Sequence, residues 1–224
     1  SISDAAGNSR NVTIPFPLNV TGLLSVFPPD SSVVSGELAS VVLRAVGLPD
    51  GESAGNESAL AVTRNAVSVN GTLSLMEDSM LYAFDDTLRA DGSDDGLYRI
   101  TGLFDAASLG PARNVATLFT FDNLPPDTVS VTVDPSAGGT LVTVELSDGG
   151  SYPQVAGIDR DGTTAVVVDQ AGHETAPLSK RWLDDNTVEF SLSPFSQGGL
   201  NRLRLTALDR AAHVATYNIT VVDN

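Results

Sequence analysis

Aspartate residues are the side chains of this sequence that are best suited to chemistry. Asp105 follows the segment YRITGLF, and Asp122 and Asp127 enclose the segment NLPP. Carboxylate oxygens are preferred ligands of Ca²⁺, so these three residues form a candidate calcium site if their loops converge at a junction between domains. The same residues also suit tight turns, because an aspartate carboxylate accepts backbone N–H groups and fixes the turn. Both interpretations remain open at this stage.

A second acidic motif is DRDG, which carries Asp159 and Asp161. The alternation of the two carboxylates matches the beginning of a calcium-binding loop. The later glutamate that such a loop needs is missing, so the motif favours a plain turn. The short carboxylates in loops suit either calcium or a high-salt environment, and no motif requires a cofactor.

Catalytic motifs are missing from the sequence. There is no G-x-S-x-G, H-E-x-x-H, phosphate-binding or dinucleotide-binding pattern. His173 and His213 are the only histidines, and nothing nominates a serine nucleophile to accompany either of them. Carboxylate pairs for glycoside hydrolysis are normally found in clefts with aromatic residues, but only 6% of the residues are aromatic. The pattern indicates a protein that is not an enzyme.

The composition narrows the class of protein further. The chain has 224 residues, of which 42% are hydrophobic, enough for one large or two ordinary domains with packed cores. It contains no cysteine, which excludes disulfides and thiolate metal sites. The formal net charge of -16 repels phosphate backbones and argues against nucleic-acid binding. No apolar run reaches the roughly 20 residues that span a membrane.

An internal repeat organises the chain. The segment from YRIT to FDN (98–123) matches the segment from LRLT to VDN (203–224) in pattern. Each consists of two alternating runs around an aspartate, Asp105 in the first copy and Asp209 in the second. Asp4 opens a shorter copy at the beginning of the chain. The period is therefore about one hundred residues, the size of a small domain.

The repeat also decides between helix and strand where local spacing is ambiguous. GELASVVLRAVGL (36–48) places apolar residues at spacings that fit a helix. The corresponding segment of the next copy, TLVTVELSD (140–148), alternates with a period of two and predicts a strand. We therefore predict strands in both copies. Many short runs of this kind, separated by Gly, Pro, Asp and Asn clusters, indicate a sandwich of two antiparallel sheets.

The predicted domains follow from the repeat and from the proline pair in DNLPPD (122–127). Proline cannot donate to a β-ladder and holds the chain extended, so this segment predicts a short, stiff joint. The domains are expected at 21–123 and 124–224. Residues 1–20 are expected to be the last strands of a preceding copy, or an orphan strand that completes the sheet of a neighbouring subunit.

Two phrases carry a resemblance to a known family. DAAGN (4–8) stands between two strands, and DNLPPD (122–127) follows the last strand of a repeat. This succession resembles the bacterial immunoglobulin-like (Big-type) modules of large prokaryotic cell-surface proteins, over essentially the whole chain. The Gly-Asn of the first phrase is replaced by Ala107-Ser108 and Ala212-His213 in the later copies.

The resemblance implies tandem Ig-like Greek-key β-sandwiches joined by short Pro-containing linkers. It also implies a non-catalytic structural segment of an extracellular protein, an adhesin stalk or a surface-layer scaffold. The implied partners are neighbouring Ig-like domains of the same polypeptide, together with self-assembly or a surface ligand.

An alternative function is a carbohydrate- or ligand-binding accessory module of a secreted enzyme. It predicts an exposed aromatic strip or a concave loop cluster. The single tryptophan, Trp182, is expected to fill the core rather than to stack on a sugar.

The sequence contains five N-glycosylation sequons, whose use depends on the source of the protein. They are at Asn11, Asn19, Asn56, Asn70 and Asn218.

Overall fold

The computed structural model shows a chain of β-strands joined by turns. The residues that it describes are 2–3, 9–10, 23–48, 52–107, 111–136, 139–148, 156–194 and 200–222. Near the beginning of the chain, β1 (Ile2–Ser3) and β2 (Ser9–Arg10) pair antiparallel. The rest of the segment 1–20, for which terminal or orphan strands are predicted, lies outside the described residues. Among the described residues, no helix has the length and hydrophobicity that a membrane span requires.

The first half of the chain forms two facing sheets. One has the order β4-β11-β10-β6-β7, with β4 parallel to β11, and the other has the order β3-β5-β9-β8. The strands are β3 (Leu23–Phe27), β4 (Ser32–Val34), β5 (Leu38–Val46), β6 (Ala59–Arg64), β7 (Val67–Ser68), β8 (Gly71–Leu75), β9 (Ser79–Leu88), β10 (Gly96–Phe104) and β11 (Arg113–Phe121).

The second half repeats this plan with four strands in each sheet. The sheet orders are β12-β13-β17-β16 and β15-β14-β18-β19. The strands are β12 (Asp127–Ser136), β13 (Gly139–Ser147), β14 (Thr164–Val168), β15 (Glu174–Thr175), β16 (Ser179–Trp182), β17 (Thr187–Leu192), β18 (Leu200–Leu208) and β19 (Val214–Val222).

The alternation of apolar residues explains why these segments become strands. In β13, Val142, Val144 and Leu146 are buried, whereas Glu145 between them is exposed. Successive side chains of a strand point to opposite faces, so this pattern places one face against the opposite sheet. The segment Leu38–Val46 shows the same behaviour, which confirms the strand that the repeat predicts there.

Each pair of sheets encloses its own hydrophobic core. The first core includes Tyr98, which stacks on Phe119 with ring centroids 5.0 Å apart, and the second is centred on residues such as Phe190. The chain thus forms tandem Ig-like β-sandwiches, as the sequence predicts. The boundary predicted between residues 123 and 124 stays a prediction, and the two cores lie on either side of it.

Candidate functional site

Asp122 is a buried carboxylate at the end of the first sandwich. It directly follows β11, and its backbone N–H donates to the carbonyl of Val34 at 2.9 Å. Its exposed fraction is 0%, and neither carboxylate oxygen has a hydrogen-bond partner among the described residues. Burial without a partner is costly for a charged group, so Asp122 is the side chain in this region that most needs an explanation.

The second sandwich supplies the neighbours of Asp122. Asp209 and His213 lie in the turn between β18 and β19, and Asp209 is 1% exposed. One ligand-type atom of each of the three residues lies within 4.8 Å of those of the other two. Side chains of both sandwiches therefore meet in one cluster, which we call the joint cluster: Asp122, Asp209 and His213.

Local hydrogen bonds hold Asp209 and His213 in place. Asp209 Oδ1 accepts the backbone N–H of His213 at 2.8 Å, and Asp209 Oδ2 lies 3.0 Å from His213 Nδ1. The N–H of Ala212 also donates to the Asp209 carbonyl, with Ala212 at a φ of +69°. The turn thus orients the imidazole ring through both its backbone and its carboxylate.

An exposed copy of the same turn lies elsewhere in the second sandwich. Asp169 accepts the N–H of His173 at 2.8 Å, its Oδ2 lies 3.0 Å from His173 Nδ1, and Gly172 has a φ of +85°. The exposed side-chain fractions are 78% for His173 and 46% for Asp169, against 24% for His213 and 0% for Asp209. The two turns therefore share their geometry and differ in their surroundings.

Asp148 adds a further carboxylate beside the joint cluster. It follows β13 and is 3% exposed. Its Oδ2 accepts the N–H groups of Ala156, at 2.8 Å, and Gly157, but its Oδ1 has no partner among the described residues. Asp148 thus binds the backbone at Ala156 and Gly157 and leaves one oxygen unsatisfied.

Asp95, by contrast, has both of its carboxylate oxygens satisfied. It is 3% exposed and accepts the backbone N–H and the side-chain amide of Asn123, each at 3.0 Å. Asn123 Oδ1 in turn accepts the N–H of Gly36 at 2.6 Å. The two residues of the Asp-Asn pair that ends the first repeat thus differ. Asn123 links Asp95 and Gly36 by hydrogen bonds, whereas the carboxylate of Asp122 has no hydrogen-bond partner among the described residues.

The electrostatics of the joint cluster are dominated by burial and negative charge. Burial, followed by the charges of Asp148, Asp209 and Asp95, raises the pKa of Asp122 to about 7, against the opposing effect of His213. Burial also raises the pKa of Asp148, whereas the N–H groups of Gly157 and Ala156 act to lower it. The carboxylates outnumber the single imidazole, so the region attracts a positive charge.

The joint itself is fixed by a tyrosine of the second sandwich. The hydroxyl of Tyr217 on β19 donates to the carbonyl of Pro126, and it lies 3.4 Å from Asp127 Oδ1. Asp127 is exposed, and its Oδ1 accepts the N–H of Thr128 at 2.7 Å. The proline segment is therefore attached to β19 of the second sandwich.

The structure brings together a different set of residues from the predicted calcium set. Asp105 follows β10 and Asp122 follows β11; because these strands pair antiparallel along their full length, the two residues are roughly 25–30 Å apart. The backbone of Asp105 bonds instead to Gly55 and Ser58. Asp127 lies at the exposed edge of the joint, where its Oδ1 accepts the N–H of Thr128. Of the predicted set, only Asp122 lies in the joint cluster.

The DRDG motif has the geometry of an ordinary turn. Asp159 Oδ1 accepts the N–H groups of Asp161, at 3.0 Å, and Gly162, at 3.1 Å. Asp161 is exposed. These contacts satisfy the turn locally, as the plain-turn interpretation expects.

Trp182 is not an open sugar-stacking surface. It packs against the second core, with Arg160 Cζ 5.3 Å and Lys180 Nζ 5.6 Å from its ring centroid. Lys180 is held there by hydrogen bonds to the carbonyls of Arg160 and Thr163, each at 2.6 Å. The cations cover the ring, in agreement with its expected role as a core residue.

The sequons that the structure describes are accessible. Asn56, Asn70 and Asn218 are exposed, and Asn218 lies on the outward face of β19. Asn11 and Asn19 lie outside the described residues.

Comparison with known proteins gives structural neighbours only. No family model matches the chain, and no curated protein matches it. Bovine butyrophilin is 14% identical, with 89% of this chain and 99% of that chain covered, at a TM-score of 0.39. The structure of Dpr11 IG1 bound to DIP-gamma is 9% identical, with 90% of this chain and 98% of that chain covered, at a TM-score of 0.44. The Yersinia pseudotuberculosis adhesin InvE is 13% identical, with 89% and 58% covered, at a TM-score of 0.37.

Proposed function

We propose that this chain is a non-catalytic structural segment of an extracellular cell-surface protein, a stalk or scaffold made of tandem Ig-like sandwiches. The resemblance of DAAGN and DNLPPD to bacterial Ig-like modules supports a prokaryotic surface protein. The neighbouring Ig-like domains of the same polypeptide are its proposed partners. Its task is to set the distance and the direction between the parts of the protein that it connects.

The observation that carries this proposal is the way in which the sandwiches meet. Asp122, at the end of the first, is buried with a carboxylate oxygen within 4.8 Å of ligand-type atoms of Asp209 and His213 in the second. Tyr217 of the second sandwich holds the carbonyl of Pro126 in the linker. Such contacts restrict bending, whereas a freely hinged pair of domains would have a solvated linker. A restricted joint is what a spacer requires.

The test is a distance measurement across the joint. The chain contains no cysteine, so Ser74→Cys and Thr220→Cys would be the only positions that take a spin label. Both positions are exposed, and one lies on each sandwich, so the distance between the labels reports the distance between the sandwiches. Pulsed electron spin resonance should give one narrow distance distribution. A matched variant with a Gly-Ser-Gly-Ser insertion after Leu124 should give a broad one. A wild-type distribution as broad as that of the insertion variant would contradict the spacer role.

A further inference from the structure

The joint cluster and its surroundings contain buried carboxylate oxygens that the hydrogen bonds of the described residues leave unsatisfied. Asp122 is fully buried with both oxygens unpartnered, and Asp148 beside it keeps one unpartnered oxygen. Buried charges are normally paired or bound to metal ions, because a lone buried ion is strongly unfavourable. The imidazole of His213 is the only basic side chain in the cluster.

We infer that Asp122, Asp209 and His213 bind a divalent transition-metal ion, of the class that includes Mn²⁺ and Zn²⁺, between the two sandwiches. The inference goes beyond the proposed function, since metal binding does not depend on a spacer role. Only its consequence, a stiffer joint in the metal-bound protein, rests on that function.

The donor atoms favour this class of metal. Ca²⁺ and Mg²⁺ prefer sites made entirely of oxygen ligands, whereas an imidazole nitrogen with carboxylates suits Zn²⁺, Mn²⁺ and related ions. The ligand-type atoms of the three residues already lie within 4.8 Å of one another. Contraction around an ion with metal–ligand distances of about 2.0–2.2 Å needs only small side-chain movements.

The ligand atoms of Asp209 and His213 are already close to the separation of two ligands on one ion. Asp209 Oδ2 and His213 Nδ1 lie 3.0 Å apart, and an ion bound by both would replace the proton that they share. Each carboxylate oxygen has two lone pairs, so Asp209 retains acceptor capacity beyond its contacts with His213. Asp148 adds a nearby negative charge without being part of the three-residue set.

The fully buried, unpartnered side chain of Asp122 is the observation that separates this cluster from an ordinary acidic turn. The turn of Asp169 and His173 has the same hydrogen bonds but is exposed. It therefore serves as a matched control for the contribution of the buried carboxylate Asp122 and of the first sandwich.

The experiment is a calorimetric titration of the metal-stripped 224-residue chain with ZnCl₂, MnCl₂, CaCl₂ and MgCl₂. One Zn²⁺ or Mn²⁺ ion should bind per chain, at least tenfold more tightly than Ca²⁺. His213→Ala should weaken that binding at least tenfold, and His173→Ala should change it less than twofold. Asp122→Asn, which is nearly isosteric, should also weaken it at least tenfold, and circular dichroism should show that each variant is folded.

Three results would each overturn the metal site. They are the absence of saturable binding by Zn²⁺ and Mn²⁺, equal losses in the two histidine variants, and tighter binding of Ca²⁺ than of both transition metals. Failure of the spacer role is seen separately, in the spin-label distances. A broad distance distribution with intact metal binding would contradict the spacer role alone. A narrow distance distribution without metal binding would contradict the metal site alone.

Discussion

Asp122 and His213 come within 4.8 Å of one another, although one ends the first sandwich and the other lies in a turn of the second. This contact joins the two halves of the repeat in a specific way. The end of a last strand in one sandwich meets the turn before the last strand of the next. Asp105 is the counterpart of Asp209 in the repeat. It lies in the turn before the last strand of the first sandwich, at the opposite end of that sandwich from Asp122.

Replacing Asp122 with asparagine should stabilise the metal-free protein. The substitution keeps the shape of the side chain and removes a buried charge that has no hydrogen-bond partner. We expect a gain of about 1–3 kcal/mol in the free energy of unfolding, measured by urea denaturation at pH 8 with a chelator. Asp127→Asn, at the exposed edge of the joint, is the control and should change stability by less than about 0.5 kcal/mol. A loss of stability in Asp122→Asn would mean that its carboxylate is already satisfied.

Local patterns in the sequence predict the strands and their arrangement in two-sheet sandwiches. The strand at Leu38–Val46 was ambiguous on its own, and comparison with the alternating segment at 140–148 resolved it. Period-two alternation is a property of neighbouring residues, so it can be read without knowing the tertiary structure. The sandwich of two sheets follows from many such segments and its tandem arrangement from the hundred-residue period, whereas the Ig-like type is implied by the resemblance of DAAGN and DNLPPD to a known family.

The joint cluster could not be predicted in the same way, because it depends on how two sandwiches pack. The sequence pointed to Asp122 as a junction residue and to Asp209 as a turn residue. It gave no reason to place the two together. One signal was readable: the spacing D-x-x-x-H occurs twice, in DQAGH (169–173) and in DRAAH (209–213). This spacing identifies both turns. It does not show which turn is buried, because the burial of the turn at 209–213 depends on the packing of the first sandwich against it.

The first core should give the protein a specific sensitivity to high pH. Tyr98 is fully buried, its hydroxyl donates to the Asp94 carbonyl at 2.7 Å, and burial raises the pKa of Tyr98 to about 12. The unfolded chain loses this proton near pH 10, so the stability due to Tyr98 is complete below pH 10 and is lost as the pH rises towards 12. Unfolding at several pH values should show a loss of about 2–3 kcal/mol over this window.

The control for that pH dependence is Tyr98→Phe, which keeps the ring that stacks on Phe119. Its stability should fall less steeply between pH 10 and 12 than that of the wild type, because the titrating group is gone. Parallel slopes in the two proteins would show that other groups cause the alkaline loss.

The paired turns allow a clean test of backbone strain. Ala212 and Gly172 occupy the same turn position, with φ values of +69° and +85°. A residue with a Cβ is disfavoured in this conformation, so Ala212→Gly should stabilise the protein by about 0.5–1 kcal/mol. Gly172→Ala should destabilise it by a similar amount. An added Cβ at Gly172 would meet nothing within 4 Å, so a loss of stability there would be due to the backbone conformation alone. Thermal unfolding of both variants measures the two changes in stability. Stability changes of the same sign in the two variants would contradict the strain argument.

Asn123 should be essential for the end of the first sandwich. Its amide and backbone N–H groups satisfy both oxygens of the buried Asp95, and its Oδ1 accepts the N–H of Gly36. Asn123→Ala leaves one oxygen of Asp95 without the amide donor and removes the acceptor of Gly36. We therefore expect a loss of about 2–4 kcal/mol in urea denaturation. Asn114→Ala, at an exposed position of β11, is the matched control and should cost less than about 0.5 kcal/mol. If the two variants were equally stable, the hydrogen bonds of Asn123 would contribute nothing to the fold.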